Sequence, residues 1–321
     1  MAKKTISVMI PCYNEEENAR PIYEAVRDEL KSSCPEYNYE ILFIDNKSKD
    51  NTRSVISQIC KEDKHVKAIF NSKNFGQFNS PYYGILNTSG DCTITICADF
   101  QDPVEMIPKF VAQWEAGYNI VIGKKTRSKE SKIMYFLRGC YYKLIRKLST
   151  VDMIEQFTGF GLYDKSFVDT LRSLGDPTPF IRGIVAELGP ERKEIEYEQP
   201  QRRAGKTSNN WKTLYDAAML SFTSYTKIFL RLPAIIGGVL AGLSVLGLLV
   251  YAVTSLLRGF APFAELMLLV ICLFAGVQLF FIGMIGEYIL VMNERIKNRP
   301  LVVEEVRLNF ERAEEKELTT V

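Results

Sequence analysis

The sequence contains a single histidine, and its seven cysteines are scattered without any CxxC pair. An odd number of widely spaced cysteines argues against a disulfide framework and against a zinc site. We therefore expect reduced cysteines in a protein whose soluble part faces the cytosol. The lone histidine, His65, lies in a polar connection before a predicted strand, where a surface position is expected.

Two further signals are missing: a Gly-rich phosphate loop of Rossmann or Walker type, and a signal-peptide core after Met1. The net charge of +2 over 321 residues hides a strong separation of charge along the chain. A basic block that precedes hydrophobic helices favours anionic lipid over nucleic acid as a partner. The block spans positions 124 to 147, where Glu130 is the one acidic residue. It contains nine cations: Lys124, Lys125, Arg127, Lys129, Lys132, Arg138, Lys143, Arg146 and Lys147.

The most informative stretch is an apolar, β-branched run that starts at Thr93 and stops at Asp99 and Gln101. This pattern predicts a buried central strand that delivers both side chains to the carboxyl edge of an α/β sheet, where such sheets bind ligands. Carboxylate and amide oxygens without a nearby histidine suit Mg²⁺ or Mn²⁺, usually held together with substrate phosphates. A solvated strand end is the alternative, but we expect Asp99 to contact metal or ribose and a sugar nucleotide to be the partner.

The residues that follow indicate a helix start. In Asp102-Pro103-Val104-Glu105, Asp102 is expected to be the N-cap, Pro103 the first helical residue and Glu105 the end of a capping box. Asp102 is therefore assigned to structure and not to metal binding.

Strands alternate with helices through the first 125 residues, which predicts parallel βαβ units. Three strand ends then lie at one edge of the sheet, at 11–15, 45–50 and 99–101, and each carries acidic residues. Without a Gly-rich loop, this arrangement favours a nucleotide held by side chains and metal. The expected strands are 6–10, 39–44, 66–70, the run from Thr93, and 119–123; the expected helices are about 16–30, 50–61, 78–88 and 103–116.

Four ordered motifs resemble those of glycosyltransferase family 2, and in particular its polyprenyl-phosphate glycosyltransferase branch. The resemblance covers nearly the whole chain and implies a GT-A-type, Rossmann-like nucleotide-sugar domain. The motifs are Ile10-Pro11-Cys12-Tyr13-Asn14-Glu15-Glu16-Glu17, Ile44-Asp45-Asn46-Lys47-Ser48-Lys49-Asp50-Asn51-Thr52, Asn74-Phe75-Gly76 and Ala98-Asp99-Phe100-Gln101-Asp102-Pro103.

The resemblance also implies roles for individual residues. Asp99 and Gln101 would hold the divalent metal on the donor diphosphate, and Asp99, Arg138 and Arg202 would be the catalytic set. Arg138 and Arg202 would bind the lipid phosphate, with Arg203 as the alternative to Arg202. The nucleotide pocket would comprise Pro11, Tyr13, Glu15, Asp45, Ala98, Asp99 and Lys125.

The sequence departs from the family pattern in places. Cys97 stands where relatives often have the first acid of Asp-Ala-Asp, so the metal site has one carboxylate fewer. Asn46 and Lys47 replace the second Asp and the Gly of Asp-Asp-Gly-Ser. The segment 156–161 is expected to be the acceptor-side loop.

Helical periodicity with flanking cations over 133–148 predicts an interfacial helix, with an ordinary packed amphipathic helix as the alternative. A second apolar stripe follows over 211–229. The runs 232–257 and 266–286 carry no charge and are long enough to span a bilayer, although buried core helices are the alternative. Flanking cations place both ends of this hairpin in the cytoplasm. The expected parts are a nucleotide-sugar half (1–125), an acceptor half (126–230), a transmembrane hairpin (231–293) and a peripheral cytoplasmic tail (294–321).

These expectations amount to a multi-pass inner-membrane enzyme with a cytoplasmic catalytic domain. It would transfer a hexose, with inversion, from a sugar nucleotide to polyprenyl phosphate. UDP-glucose through the bactoprenol branch is the favoured donor; UDP-N-acetylglucosamine and GDP-mannose stay open. A processive synthase would need more spans and a Gln-x-x-Arg-Trp motif, whereas a non-catalytic scaffold or a component of a lipid-flipping complex is the rival outside enzymes. Relatives that form tetramers make a homotetramer an expectation.

Overall fold

The computed structural model describes residues 3–127, 149, 151, 153–189, 191–205, 215–216, 218–221, 225, 253, 264–296 and 299–310. The chain divides into two compact units, and all site residues discussed below belong to the first, which comprises 1–139, 153–209 and 298–321. The second comprises 140–152 and 210–297. The predicted interfacial helix at 133–148, with Arg138, and most of the run 232–257 lie outside the described residues.

Eight strands of the described residues form one mixed sheet in the order β7-β5-β6-β4-β1-β2-β3-β8. Strands β3, β2, β1 and β4 run parallel, as the alternating pattern predicted. The strands are β1 (Thr5–Cys12), β2 (Asn38–Asp45), β3 (Val66–Asn71), β4 (Cys92–Thr95), β5 (Ile120–Arg127), β6 (Phe157–Asp164), β7 (Lys193–Glu198) and β8 (Glu304–Leu308).

Helices cover the parallel strands and bury apolar residues at helical spacing. In α1, Ile22, Val26 and Leu30 face the core, as expected for an amphipathic helix. Strand residues such as Ile6 and Phe43 are fully buried, because a parallel sheet covered by helices hides both faces. The helices are α1 (Ala19–Ser33), α2 (Thr52–Glu62), α3 (Gly76–Leu86), a 3₁₀ turn (Val104–Met106), α4 (Ile107–Glu115), α5 (Lys165–Leu174), α6 (Ile181–Leu188) and α7 (Ala264–Ile296).

The sheet is not parallel throughout, and here the predicted pattern needs correction. Strand β6 lies between β4 and β5 and runs antiparallel to both. The segment 156–161, expected to be a loop, therefore supplies most of an internal strand. Its buried side chains, among them Phe157 and Phe160, account for this position in the core.

Helical residues follow from Val104 to Glu115, close to the predicted helix 103–116, but the capping box predicted at Asp102 is wrong. Pro103 has an extended backbone and precedes the short 3₁₀ turn, and no side chain caps that turn. The Asp102 carboxylate turns back instead, where it accepts the Cys97 N–H at 3.0 Å and the Tyr197 hydroxyl at 3.2 Å. Its structural role is thus to tie the turn after β4 to β7.

The segment after the hydrophobic region is more than a peripheral tail. Strand β8 pairs antiparallel with β3 and forms one edge of the sheet. Asn309, just beyond β8, donates to the carbonyl oxygens of Cys60 at 2.6 Å and Val66 at 2.7 Å. The chain therefore completes its first unit with residues from near its carboxyl end.

Of the helices in the described part of the chain, none combines the length and apolarity needed to cross a membrane. The predicted run 266–286 falls within α7. Both predicted spans stay predictions.

Candidate functional site

The loops that follow β1 and β2 are joined by hydrogen bonds. The Asn46 N–H donates to the Cys12 carbonyl at 2.9 Å. The Asn14 N–H donates to the Ser48 hydroxyl, and the Lys49 N–H to the Asn14 side chain, both at 2.8 Å. Asn14 adopts a left-handed backbone (φ 57°), a conformation that asparagine tolerates better than most residues.

A second set of bonds joins the loops further along. The Glu15 N–H donates to the Thr52 hydroxyl at 2.8 Å, and the Glu16 N–H to Asp50 at 3.2 Å. In return, the Asn51 N–H donates to the Glu16 carboxylate at 2.9 Å. The two loops thus form one connected surface at the carboxyl edge of the sheet, as the three-strand-end pattern predicted. Pro11 and Tyr13 lie half-buried on it.

Asp45 ends β2 and is completely buried. Its carboxylate accepts the Ser48 N–H at 3.2 Å and pairs with the Arg53 Nε at 2.6 Å. Arg53 also donates to the Asn71 carbonyl and to Glu305 of β8, the latter at 2.9 Å. The residue expected in the nucleotide pocket therefore also fixes the conformation of its own loop.

Asn46 uses both ends of its side-chain amide. Its Nδ2 donates to the Asn74 side chain and the Gly76 carbonyl, both at 3.0 Å. Its Oδ1 accepts the Phe75 N–H at 2.8 Å and the Asn71 side chain at 3.2 Å. An aspartate would lack the two donors, so this departure from the family pattern matches the loop that it holds.

Lys47 occupies the position of the family's glycine and has a left-handed backbone (φ 64°). Glycine adopts this conformation without steric cost, which explains its frequency in relatives. Here the Lys47 ammonium pairs with Glu305 at 2.7 Å. The unfavourable left-handed conformation of Lys47 is thus accompanied by an ion pair to β8.

Asp99 lies beyond the end of β4, which stops at Thr95 and not at the end of the apolar run. The capture of the Cys97 N–H by Asp102 turns the chain away from the strand. Asp99 Oδ1 accepts the Gln101 N–H at 3.1 Å across Phe100, whose backbone is left-handed (φ 60°). This turn presents Asp99 and Gln101 next to each other, and Ala98 beside them is buried.

Arg202 connects the first and third strand ends. Its guanidinium pairs with the Glu15 carboxylate and lies 3.6 Å from Asp99 Oδ2. Burial raises the pKa of Glu15, and the hydrogen bond from Asn18 and the charge of Arg202 oppose that rise only in part. The predicted convergence of Glu15 and Asp99 is thus confirmed, with Arg202 between them.

The structure also separates Arg202 from Arg203, which the sequence could not do. The Arg203 guanidinium lies over the Phe100 ring at 5.1 Å from its centroid, and its side chain is exposed. Only the Arg203 backbone N–H reaches Asp99, where it donates to the carbonyl oxygen at 3.2 Å. Arg202 is therefore the arginine whose charge meets the acidic side chains.

The remaining predicted residue of the nucleotide pocket, Lys125, lies half-buried on β5. Its ammonium donates to the Gln199 side chain at 2.9 Å. Its charge opposes the rise that burial causes in the pKa of Asp102.

The donor atoms at Asp99 and Gln101 are compatible with a hard cation. They offer one carboxylate and one amide oxygen, and Mg²⁺ is commonly bound by one or two carboxylates plus substrate phosphates. Within the described ranges, no cluster of three or more His, Cys, Asp or Glu side chains is placed to hold a metal ion. The residues therefore fit a cation that shares its ligands with a bound diphosphate.

Three residues of this region were not identified from the sequence: Asn18, Arg53 and Glu305. Asn18 donates to Glu15 at 2.6 Å and to the Ala204 carbonyl at 3.3 Å, and its spacing of three residues from Glu15 was a usable signal. No local pattern marks Arg53 or Glu305, because the ion pair that joins them spans 252 residues of sequence. His65 is confirmed as a surface residue, and the cysteines in the described part of the chain that are free are Cys12, Cys34, Cys60, Cys92 and Cys97.

Comparison with known proteins agrees with these features. The family described as Glycosyl transferase family 2 matches residues 7–172, just over half of the chain. A bactoprenol glucosyl transferase of Shigella phage SfII is 35% identical over 300 residues, which cover 92% of this chain and 96% of that protein. The putative glycosyltransferase CsbB of Bacillus subtilis (strain 168) is 31% identical over 301 residues, or 94% and 91% of the two chains.

Among solved structures, the glucosyl-3-phosphoglycerate synthase of Mycobacterium tuberculosis in complex with Mn²⁺, UDP-glucose and phosphoglyceric acid is 17% identical, with a TM-score of 0.47. The match covers 68% of this chain and 78% of that one. The family match and the similarity along nearly the full length of curated relatives decide the assignment. The chain belongs to glycosyltransferase family 2 and is a glycosyltransferase.

Proposed function

We propose that this glycosyltransferase transfers glucose from UDP-glucose to the phosphate of a membrane-bound bactoprenol, with inversion at the anomeric carbon. The observation that carries the proposal is its 35% identity to a protein named bactoprenol glucosyl transferase, over nearly all of both chains. The acceptor is a polyprenyl phosphate such as undecaprenyl phosphate. The donor pocket is the surface formed by the loops after β1, β2 and β4.

The acceptor chemistry fits the residues present. A phosphate monoester has a second pKa near 6, so most of it is a dianion at neutral pH and attacks without a strong general base. No role as a base is therefore assigned to the only histidine, His65, which is exposed and pairs with Asp63. The protein's main task is then to position two anions that would otherwise repel each other and to stabilise the charge that develops on the leaving diphosphate.

Charged residues of the chain are suited to that task. Asp99 and Gln101 would hold Mg²⁺ or Mn²⁺, which when bound neutralises charge on the diphosphate. Lys125 supplies a further cation on the nucleotide side. Arg202, with Arg138 from the basic block, is proposed for the phosphate of the lipid.

The membrane location is proposed from the sequence. The charge-free runs 232–257 and 266–286 are each long enough for a span, and the flanking cations favour a cytoplasmic location of both ends. In that arrangement the catalytic domain would face the cytoplasm at the inner membrane, next to a lipid acceptor whose phosphate lies at the surface.

The test uses full-length protein in membranes with undecaprenyl phosphate and a panel of radiolabelled UDP-glucose, UDP-N-acetylglucosamine and GDP-mannose. We expect glucose transfer that chelation of divalent metal abolishes. Asp99→Asn should lower transfer by about 10²-fold or more, because it removes the carboxylate but keeps the shape. Asp28→Asn is the matched control, since Asp28 makes only an exposed pair with Arg27.

Each outcome has a clear meaning. Transfer of another sugar would change the donor but keep the reaction. Absence of turnover with every donor, in protein that is folded and membrane-bound, would refute the proposed enzyme and favour a scaffold or flipping component.

An Arg138→Ala variant should raise the requirement for lipid phosphate more than that for sugar nucleotide, and the opposite ranking would exclude Arg138 from the acceptor site.

A further inference from the structure

The cluster of Glu15, Asp99 and Arg202 places one cation between two carboxylates from distant parts of the chain. Arg202 pairs with Glu15 and lies 3.6 Å from Asp99 Oδ2. Glu15 and Asp99 are nearly buried, so solvent screens these charges less than it would at an open surface. The guanidinium is therefore a substantial part of the electrostatic environment of Asp99.

The chain segment that carries Arg202 is itself fastened to the site. The Arg202 Nε donates to the Ala204 carbonyl at 2.9 Å, and Asn18 donates to the same carbonyl at 3.3 Å. The Arg203 N–H donates to the Asp99 carbonyl at 3.2 Å, and Gly205 allows the turn with a φ of 81°. Arg202 is thus directed at Asp99 by the backbone around it.

Each oxygen of the Asp99 carboxylate already has one partner. Oδ1 accepts the Gln101 N–H at 3.1 Å, and Oδ2 faces Arg202. A divalent cation at Asp99 would meet the positive charge of the guanidinium at close range, and the two would repel strongly. A bound diphosphate reverses this balance, because its oxygens attract both the cation and the guanidinium.

We propose that Arg202 is the internal counter-ion of Asp99 when no donor is bound, and that it keeps the affinity for divalent cations low until a sugar nucleotide arrives. The donor diphosphate then draws the guanidinium away from Asp99, and Arg202 becomes available to bind the phosphate of the lipid. This inference rests on the proposed function for the identity of the ligand. It assigns Arg202 a role before catalysis as well as during it.

The test is a Mn²⁺ titration of purified full-length protein in detergent, followed by the electron paramagnetic resonance signal of free Mn²⁺, without nucleotide. Arg202→Met should bind Mn²⁺ about tenfold more tightly than the wild type. Arg203→Met is the matched control, because it removes the same charge one residue away, and the Arg203 guanidinium lies over Phe100. The control should stay within about twofold of the wild type.

Arg202→Lys separates contact from net charge. It keeps the charge but cannot engage both carboxylates in the same way, so its Mn²⁺ affinity should fall between those of the wild type and Arg202→Met. It also keeps the test open if the methionine variant fails to fold. Equal affinities of Arg202→Met and the wild type, or equal shifts in the Arg202 and Arg203 variants, would overturn the proposal.

A second arm distinguishes this inference from the proposed function. UDP-glucose should tighten Mn²⁺ binding to the wild type and reduce the difference between the wild type and Arg202→Met. If UDP-glucose has no effect on Mn²⁺ binding and is not turned over, the proposed donor is wrong. The comparison of the two arginine variants without nucleotide would still decide the counter-ion role.

Discussion

The buried pair of Asp45 and Arg53 gives the most direct quantitative test of how the donor pocket is built. Asp45 has no exposed surface, and Arg53, whose side chain is 24% exposed, approaches it at 2.6 Å. Arg53→Met removes the cation while it keeps most of the apolar stem. The Asp45 carboxylate is then left with the Ser48 N–H and without an opposite charge.

The expected cost follows from this burial. Breaking a buried ion pair by removing one partner costs about 3–5 kcal/mol, and the partial exposure of Arg53 argues for the lower end. A loss of about 3 kcal/mol corresponds to a decrease in Tm of about 6–12 °C for a domain of 150–250 residues. The double variant Asp45→Asn/Arg53→Met carries neither charge of this pair, so it should recover about half of the loss.

The assay is thermal unfolding of the full-length protein in detergent, followed by circular dichroism, for the wild type, both single variants and the double variant. Arg27→Met is the control, because its pair with Asp28 is at the surface and should change stability by less than about 0.5 kcal/mol. If Arg53→Met melts within 2 °C (about 1 kcal/mol or less) of the wild type, or the double variant is no more stable than Arg53→Met, the two charges are not coupled and the reasoning fails.

Three further predictions concern stability and are measured by urea or thermal unfolding. Asn46→Asp should lose about 1–3 kcal/mol, because a carboxylate cannot donate to the Gly76 carbonyl; unchanged stability would contradict this. Burial opposes ionisation of Glu40, but the hydrogen bond from Lys67 helps to lower the pKa of this carboxyl in the folded protein. The ionised Glu40 therefore stabilises the fold above about pH 4.3, and this stabilisation is lost as the pH falls through the folded pKa. The Tm of the wild type should then fall more steeply below about pH 4.3 than that of Glu40→Gln. At position 47, Lys47→Val should be about 1–2 kcal/mol less stable than Lys47→Asn, since both remove the ammonium but only valine resists φ 64°; equal stabilities would exclude backbone strain there.

Local patterns in the sequence were enough to predict the parallel half of the sheet. Apolar runs that end in polar residues located β1 to β4, and the convergence of their carboxyl ends followed from parallel topology. The ends of elements were less predictable. Strand β4 stops at Thr95 because Asp102 captures the Cys97 N–H, and this contact depends on where the chain turns. The capping-box pattern after Asp102 was present in the sequence, but a tertiary contact prevailed over it.

The unpredicted parts of the fold involve partners that are far apart in sequence. Strand β6 enters between β4 and β5, and β8 joins β3 after more than 200 intervening residues. Neither pairing leaves a local trace in composition or periodicity. In the site, Arg53 pairs with Asp45, which lies eight residues before it in the sequence. Its second ion pair, with Glu305, forms only because β8 joins the sheet. Long-range ion pairs of this kind require the three-dimensional structure.

Cys97, a departure from the family pattern, and Arg202 act on one quantity near Asp99, the negative charge that the protein offers to a cation. Part of Cys97 is solvent-accessible, but protein atoms surround its thiol closely. The desolvation that results is the main cause, and the nearby charges of Asp102 and Asp99 the next, of a thiol pKa well above the ordinary value. A neutral thiol thus stands where relatives often have a carboxylate, and Arg202 offsets the charge of Asp99. With both effects the turn presents little net charge, so most of the attraction for a divalent cation must come from the diphosphate of the donor. It follows that cation and sugar nucleotide should enter the site together. A substitution that raises the net negative charge of the turn should uncouple their binding before it changes the reaction.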